Sequence, residues 1–171
     1  MKKVLVKALL VIAITLPFSA FAQECLDFHK HNCKSKQKTN EDGTVDTDGY
    51  VYSEDSRSAL MVKGQTSEFK FTIHQGKDYR VSICASEILG KNIKFELVDF
   101  EENTVLYDNS EYEFKREFEF SVMQTRNLKI RIHVPADQEA ANAVFGIKAK
   151  DTEMGCVGVL IEQMVTPKTG F

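Results

Sequence analysis

Tryptophan is absent from the 171-residue chain, which removes the commonest sugar-stacking side chain. Beyond the amino terminus no segment reaches the roughly 18 consecutive apolar residues needed to cross a bilayer. No stretch sustains a helical period over three turns, so a helical bundle is excluded. The G-x-S-x-G elbow, the H-E-x-x-H zinc motif and the glycine-rich phosphate loop are all missing, which leaves nucleophilic, metallopeptidase and nucleotide chemistry without a sequence mark. Positive charge is not in excess either, with 22 Lys and Arg against 25 Asp and Glu. Nucleic acid is therefore not an expected partner, because phosphate binding needs a clustered cationic surface. The nearest cluster, Lys30, Lys34, Lys36 and Lys38, is short and is followed by acids from 41 to 48.

The amino terminus supplies what the rest lacks. Lys2 and Lys3 precede an apolar run from Val4 to Phe18 broken only by Lys7, and Ala20-Phe21-Ala22 ends it before Gln23. That order reads as a signal peptide over residues 1–22 with an A-x-A cleavage site. Export to the periplasm or the exterior is expected, with no integral membrane segment left after cleavage. A lipid anchor is not expected, since Cys25 stands behind Gln23 and Glu24 rather than next to the cleaved bond. The removed piece carries three lysines and no acid, so the formal charge moves from −3 to −6.

What remains is long enough for one domain with one core. Residues 34–49, KSKQKTNEDGTVDTDG, hold a single apolar residue and read as a polar linker or loop. From residue 50 to 166 the pattern is period two. In SEFKFTIH, Phe69, Phe71 and Ile73 alternate with polar residues, and after Gln75-Gly76-Lys77 the segment DYRVSICA places Tyr79, Val81 and Ile83 in phase. This predicts a hairpin with one buried face. The same code recurs in SALMV, NIKFELVD, TVLYD, REFEFSVM and LKIRIHV, and Pro135 closes the last of these. ADQEAANA is expected to be a loop or helical turn, FGIKAK is a further candidate strand, and residues 167–171 form a tail. GCVGVLIEQMV is apolar on both phases, which suits a strand covered on both faces. About eight short strands with frequent turns predict an all-β, antiparallel sandwich of jelly-roll or immunoglobulin-like outline, with the phenylalanine stripes as its core.

The FKFTIHQGKDYRVSI segment, its Gly-x-x-Tyr turn at Gly76 and Tyr79, and the later FEFSV strand resemble the small β-sandwich domains typified by bacterial pre-peptidase C-terminal domains. The resemblance covers about two thirds of the exported chain, from Ser67 to about Met164. It implies the sandwich fold and export, and such domains serve as accessory modules of secreted proteins. It transfers no functional residue.

Four cysteines, Cys25, Cys33, Cys84 and Cys156, in an exported chain predict two disulfides, for which three pairings exist. Cys25 and Cys33 would lie about 26 Å apart on a straight strand, at roughly 3.3 Å per residue. A disulfide between them therefore requires residues 23–33 to fold back as a loop, since the Cα atoms of a bonded pair lie within about 7 Å. The favoured pairing is Cys25–Cys33 with Cys84–Cys156, worth about 2.6 and 4.4 kcal/mol in the chain-entropy account. The same stretch holds Asp27, His29 and His31, which share a face if extended. A carboxylate and two imidazoles form a donor set for zinc, copper or iron, and the alternative is a solvated polar loop. A second candidate is calcium in the acidic segment through Asp42, Asp46 and Asp48, although the spacing fits a calcium loop poorly and no helices are expected to flank it.

Catalysis finds little support. Paired cysteines are not nucleophiles, His74 and His133 fall on the polar phase of their strands, and Glu101-Glu102 lies in a turn. Tyr50, Tyr52, Tyr107 and Tyr112 fall near turns or strand ends, where packing caps are the expected role. The expected function is an exported, non-catalytic binding or accessory module that contacts a protein or a surface glycan and carries no cofactor. The alternatives are a zinc- or calcium-binding exported protein and, third, a secreted enzyme.

Overall fold

The computed structural model describes residues 25–33, 38–39, 45–46, 49–136 and 153–167, with backbone only for the two short segments between 34 and 48. A single turn of helix, α1 (Phe28–Asn32), is followed by the two-residue strands β1 (Lys38–Thr39) and β2 (Val45–Asp46), which pair with each other. Nine further strands follow: β3 (Val51–Tyr52), β4 (Arg57–Val62), β5 (Thr66–Ile73), β6 (Lys77–Ala85), β7 (Lys94–Asp99), β8 (Val105–Asp108), β9 (Glu117–Ser121), β10 (Arg126–His133) and β11 (Met154–Val165). These build two antiparallel sheets. One runs β5-β10-β7-β8; the other runs β11-β6-β9, with β3 and β4 sharing the far side of β11. The expected all-β sandwich is what the chain forms.

Alternation explains the core. Phe71 and Ile73 of β5, Phe95 and Leu97 of β7 and Leu128, Ile130 and Ile132 of β10 point inward from one sheet. Tyr79, Val81 and Ile83 of β6 and Val157, Val159 and Ile161 of β11 meet them from the other. Removing this apolar surface from water supplies the main stabilisation, at about 25 cal/mol per Å².

One expected feature is corrected. SEFKFTIH and DYRVSICA do not form a hairpin: β5 pairs with β10, whereas β6 pairs with β11 and β9 in the opposite sheet. Period two specifies which face is buried but not which strand lies alongside. Both strands bury their apolar phase by facing each other across the core. The corner between them is held by side chains and by the β9–β10 loop. The His74 amide donates to the Tyr79 hydroxyl (3.1 Å), the Gln75 amide to Thr125 Oγ1 (3.0 Å) and the Gly76 amide to the Val122 carbonyl (3.0 Å). Gly76 takes φ +77°, a left-handed conformation open to glycine at little cost.

The strand β11 is covered on both faces, as its composition predicts. Its even-numbered residues face α1, which lies across the outside of the β6–β11 sheet. Gly158 makes this close approach possible: a Cβ there would sit 2.8 Å from Cys33 Sγ, 2.9 Å from the His29 Cα and 3.0 Å from Cys84 Sγ. The segments ADQEAANA beyond Ala136 and FGIKAK lie outside the described residues, as does the signal peptide.

Candidate binding cleft

The two sheets close against each other along most of their length and part at one side. Among the described residues β8 and β9 each end their sheet, and they lie on the same flank of the sandwich, with β5 at the other edge of its sheet. Tyr107 of β8 bridges to Phe118 of β9, ring centroids 3.8 Å apart, and Tyr112 stacks on Tyr107 at 5.3 Å. Beyond that bridge the sheets separate into a cleft of about 480 Å³. Its floor is Ile73, Leu97, Phe118, Phe120, Val122 and Leu128. Leu106 and Met123 stand at its lip, 51% and 86% exposed.

Local devices place these walls. The β7–β8 register shifts between Leu97 and Val98, which leaves Leu106 as an unpaired bulge residue. A bulge re-aims a side chain, and Leu106 borders the cleft while staying half exposed, beside the buried Tyr107. Asn109 fixes the connection from β8 to β9. Its buried amide accepts from the Phe95 amide (2.8 Å) and donates to the Ile93 and Lys115 carbonyls (3.0 and 3.2 Å). At the mouth, Arg126 is held by Asp99 at 3.1 Å. Asp99 also accepts from the Glu101 and Glu102 amides at 2.9 and 3.0 Å. The Glu102 amide first, then that of Glu101 and the Arg126 guanidinium, lower the Asp99 carboxyl below its ordinary range. Among the described lining residues Arg126 is the one ionisable side chain, and the floor is apolar.

The two outer faces offer less. On the β5-β10-β7-β8 sheet, charges neutralise one another in a row: Arg131 reaches Glu68 (2.5 Å) and Glu96 (2.7 Å), while Lys94 reaches Glu96 (2.9 Å) and Asp108 (2.8 Å). The other outer face lies under α1 and Tyr50. There Arg80 is buried beneath the Tyr50 ring at 4.0 Å, bonded to Glu119 (2.7 Å) and 3.6 Å from Glu162. Burial pushes the Glu162 carboxyl up, a shift that the Arg80 charge opposes. All five tyrosines pack on neighbours: Tyr50 on Arg80, Tyr52 on His29, Tyr79 on Phe120, and Tyr107 and Tyr112 on each other.

The cysteine-histidine stretch has a different geometry from the one expected. The disulfides are Cys25–Cys156 and Cys33–Cys84, with Cα separations of 5.3 and 4.9 Å. The favoured pairing is thus corrected. Cys84 lies directly opposite Gly158, which makes Cys84 and Cys156 diagonal neighbours on β6 and β11. Diagonal Cα atoms stand about 7–8 Å apart, beyond ordinary disulfide reach. Residues 25–33 do fold back, but onto the sheet rather than onto themselves.

Asp27, His29 and His31 are not gathered either. On a helix, residues two apart point to nearly opposite sides, so His29 is buried against the sheet and His31 is exposed. Both His29 ring nitrogens are engaged, Nδ1 with Ser58 Oγ (2.7 Å) and Nε2 with the Tyr52 hydroxyl (3.2 Å), and the His29 amide donates to Ser58 Oγ (2.9 Å). Burial lowers the His29 pKa from 6.5 and so favours the neutral imidazole, whose two ring contacts latch α1 to the sheet. Asp27 pairs with Lys30 at 2.8 Å, and that hydrogen bond lowers its carboxyl. Among the described residues, no three His, Cys, Asp or Glu side chains converge as a metal site. Of the calcium candidates, Asp42 and Asp48 lie outside the described residues. Asp46 is placed by backbone only, opposite Lys38.

The cleft escapes sequence reasoning because its residues come from five strands and a loop. The usable signals are Met123, an apolar residue directly after the FEFSV run in a turn, and the adjacent apolar pair Val105-Leu106, which breaks strict alternation. No family model matches the chain, and no curated protein matches its sequence. Among solved structures it is similar to the crystal structure of Aeromonas hydrophila PliG, a periplasmic lysozyme inhibitor of g-type lysozyme. The identity is 10%, the coverage is 64% of this chain and 84% of that one, and the TM-score is 0.44. A likeness of that depth assigns no partner or activity to this chain.

Proposed function

We propose that this chain is an exported, non-catalytic binding module that receives apolar side chains of a protein partner in the cleft between β8 and β9. The observation that carries the reading is the cleft itself: about 480 Å³, apolar in its floor, with Leu106 and Met123 held out at the lip. Exposed large apolar side chains around a concavity mark interaction sites. Two disulfides fit an oxidising compartment outside the cytoplasm. A protein is favoured over a surface glycan, since tryptophan is absent and the described lining of the cleft holds no tyrosine.

The test is affinity capture from the native envelope and secreted fractions, with the exported chain compared against Met123→Glu and Leu106→Asp variants that keep the wild-type circular dichroism. The expected result is a partner held by wild type and lost by both variants. Equal retention by all three, or no partner at all, contradicts the reading.

A further inference from the structure

Among the described residues β9 has no strand on its outer side, and this edge indicates how a partner engages the flank. In the β6–β9 ladder the Ile83 amide donates to the Arg116 carbonyl (2.8 Å) and the Val122 amide to the Lys77 carbonyl (2.9 Å). Both belong to the same antiparallel register, which pairs Val81 with Phe118 and Tyr79 with Phe120. Antiparallel ladders alternate, so the even-numbered residues of β9 turn their backbone groups toward β6. The amides and carbonyls of Glu117, Glu119 and Ser121 then point away from the sheet. Phe118 and Phe120 send their side chains into the cleft, while the Glu117 and Glu119 side chains share the opposite face.

We infer that the partner adds a β-strand to β9, and that this strand alternates apolar with cationic residues. The inference rests on the binding role proposed for the cleft. Cross-strand neighbours share a face. Residues opposite Phe118 and Phe120 therefore enter the cleft, and residues opposite Glu117 and Glu119 meet carboxylates. On that outer face Asp78, Glu117, Glu119 and Glu162 surround the single buried guanidinium of Arg80, so negative charge is in excess there. A second copy of this chain is a poor occupant. Antiparallel self-pairing centred on β9 sets Glu119 against Glu119 or Glu117 against Glu119, and like charges directly opposite are destabilising. The edge thus repels itself while it attracts a basic strand through main-chain bonds.

The test uses the exported chain and an end-labelled peptide of alternating lysine and valine, about seven residues long to span β9 with a residue to spare at each end. Fluorescence anisotropy is read at low salt. Binding is expected to weaken about tenfold or more when valine is replaced by serine, when lysine is replaced by glutamate, or when the amides facing β9 are N-methylated. Glu117→Lys with Glu119→Lys is expected to reverse the preference between the lysine and glutamate peptides. An N-methylated peptide that binds as well as its parent, or a charge-reversed protein with unchanged preference, overturns strand addition. A parallel titration with 1-anilinonaphthalene-8-sulfonate separates the two readings. If the dye brightens in wild type and not in Met123→Glu while the peptides fail, strand addition falls and the cleft remains. If neither binds, both fall.

Discussion

Replacing Gly158 by alanine tests how the amino-terminal segment is held. The added Cβ meets two disulfide sulfurs and a backbone Cα, all between 2.8 and 3.0 Å, and none of these is the free end of a flexible side chain. Cys33 is bonded to Cys84, and His29 is fastened by Ser58 and Tyr52, so α1 cannot shift without breaking contacts on both sides. Overpacking a filled site costs about 1–3 kcal/mol, and the rigidity here places Gly158→Ala near the top of that range. At about 2–4 °C per kcal/mol for a chain of this size, the melting temperature should fall by roughly 5–10 °C under oxidising conditions. Gly155 offers a control on the same strand. Its added Cβ would meet Ile88 Cγ2 and Ser86 Cβ at 2.9 Å and the buried Leu89 Cγ at 3.1 Å; the half-exposed Ile88 branch can turn aside, but the Ser86 Cβ is fixed to the backbone. Gly155→Ala should therefore also destabilise, without involving a disulfide, and its loss should be unchanged when Cys33 and Cys84 are alanine. The Gly158→Ala clash with sulfur, by contrast, should disappear when Cys33 and Cys84 are both alanine, so its triple variant should be less destabilised than the separate losses add up to, by about 1 kcal/mol. Circular dichroism melts of wild type, the two single glycine variants, the double cysteine variant and the two triple variants measure all of this. A Gly158→Ala melt that coincides with wild type would refute the tight seating of α1.

Three further outcomes follow from particular groups. The His29 pKa is lowered in the fold, so the folded state holds fewer protons than the unfolded one; stability present above the unfolded value of 6.5 is lost as pH falls through the folded value. In a Glu162→Gln background, which removes a carboxyl of opposite sign, denaturant midpoints should drop between pH 7.5 and 5, and adding His29→Gln should flatten that part of the profile; the lowered Asp27 carboxyl acts below about pH 5. Glu162 has the opposite sign for a carboxyl: its pKa is raised from 4.5, so stability declines as pH rises through the folded value. Glu162→Gln should raise the melting temperature at pH 7, with Arg80 still bonded to Glu119, and a lower melting temperature would show that the Arg80 pair outweighs the burial of charge. Asn109→Ala leaves the buried Phe95 amide without an acceptor and should cost about 1–3 kcal/mol, read from urea unfolding.

The sandwich and its core were legible because period two is a direct record of one buried face, and eight strand segments read from the sequence from SALMV to GCVGVLIEQMV are present. The double apolar phase of β11 foretold a cover on its outer face. What covered it was not legible. Five residues of helix are too few to show a period, and a strand reading of the same stretch put Asp27, His29 and His31 together where the helix separates them. Gly158 was the available signal, since a glycine inside an apolar strand marks a close backbone approach. The disulfide pairing depends on the β6–β11 register, which alternation leaves open. The cleft depends on which strands end as edges and on a single bulge at Leu106, and neither is a property of any one segment.

A partner seated in the β8–β9 cleft would be reported by the methionines. After Met1 the chain has four methionines in separate places: Met61 in the core, Met123 at the cleft lip, Met154 exposed near the Cys25–Cys156 bond, and Met164 beside Gly49. Methyl-labelled methionine therefore gives four local NMR probes in one spectrum. When extract of the native envelope is titrated in, the Met123 methyl signal should shift or broaden while those of Met61, Met154 and Met164 hold their positions. A change at Met154 with Met123 unmoved would place the interaction on the disulfide face and contradict the account.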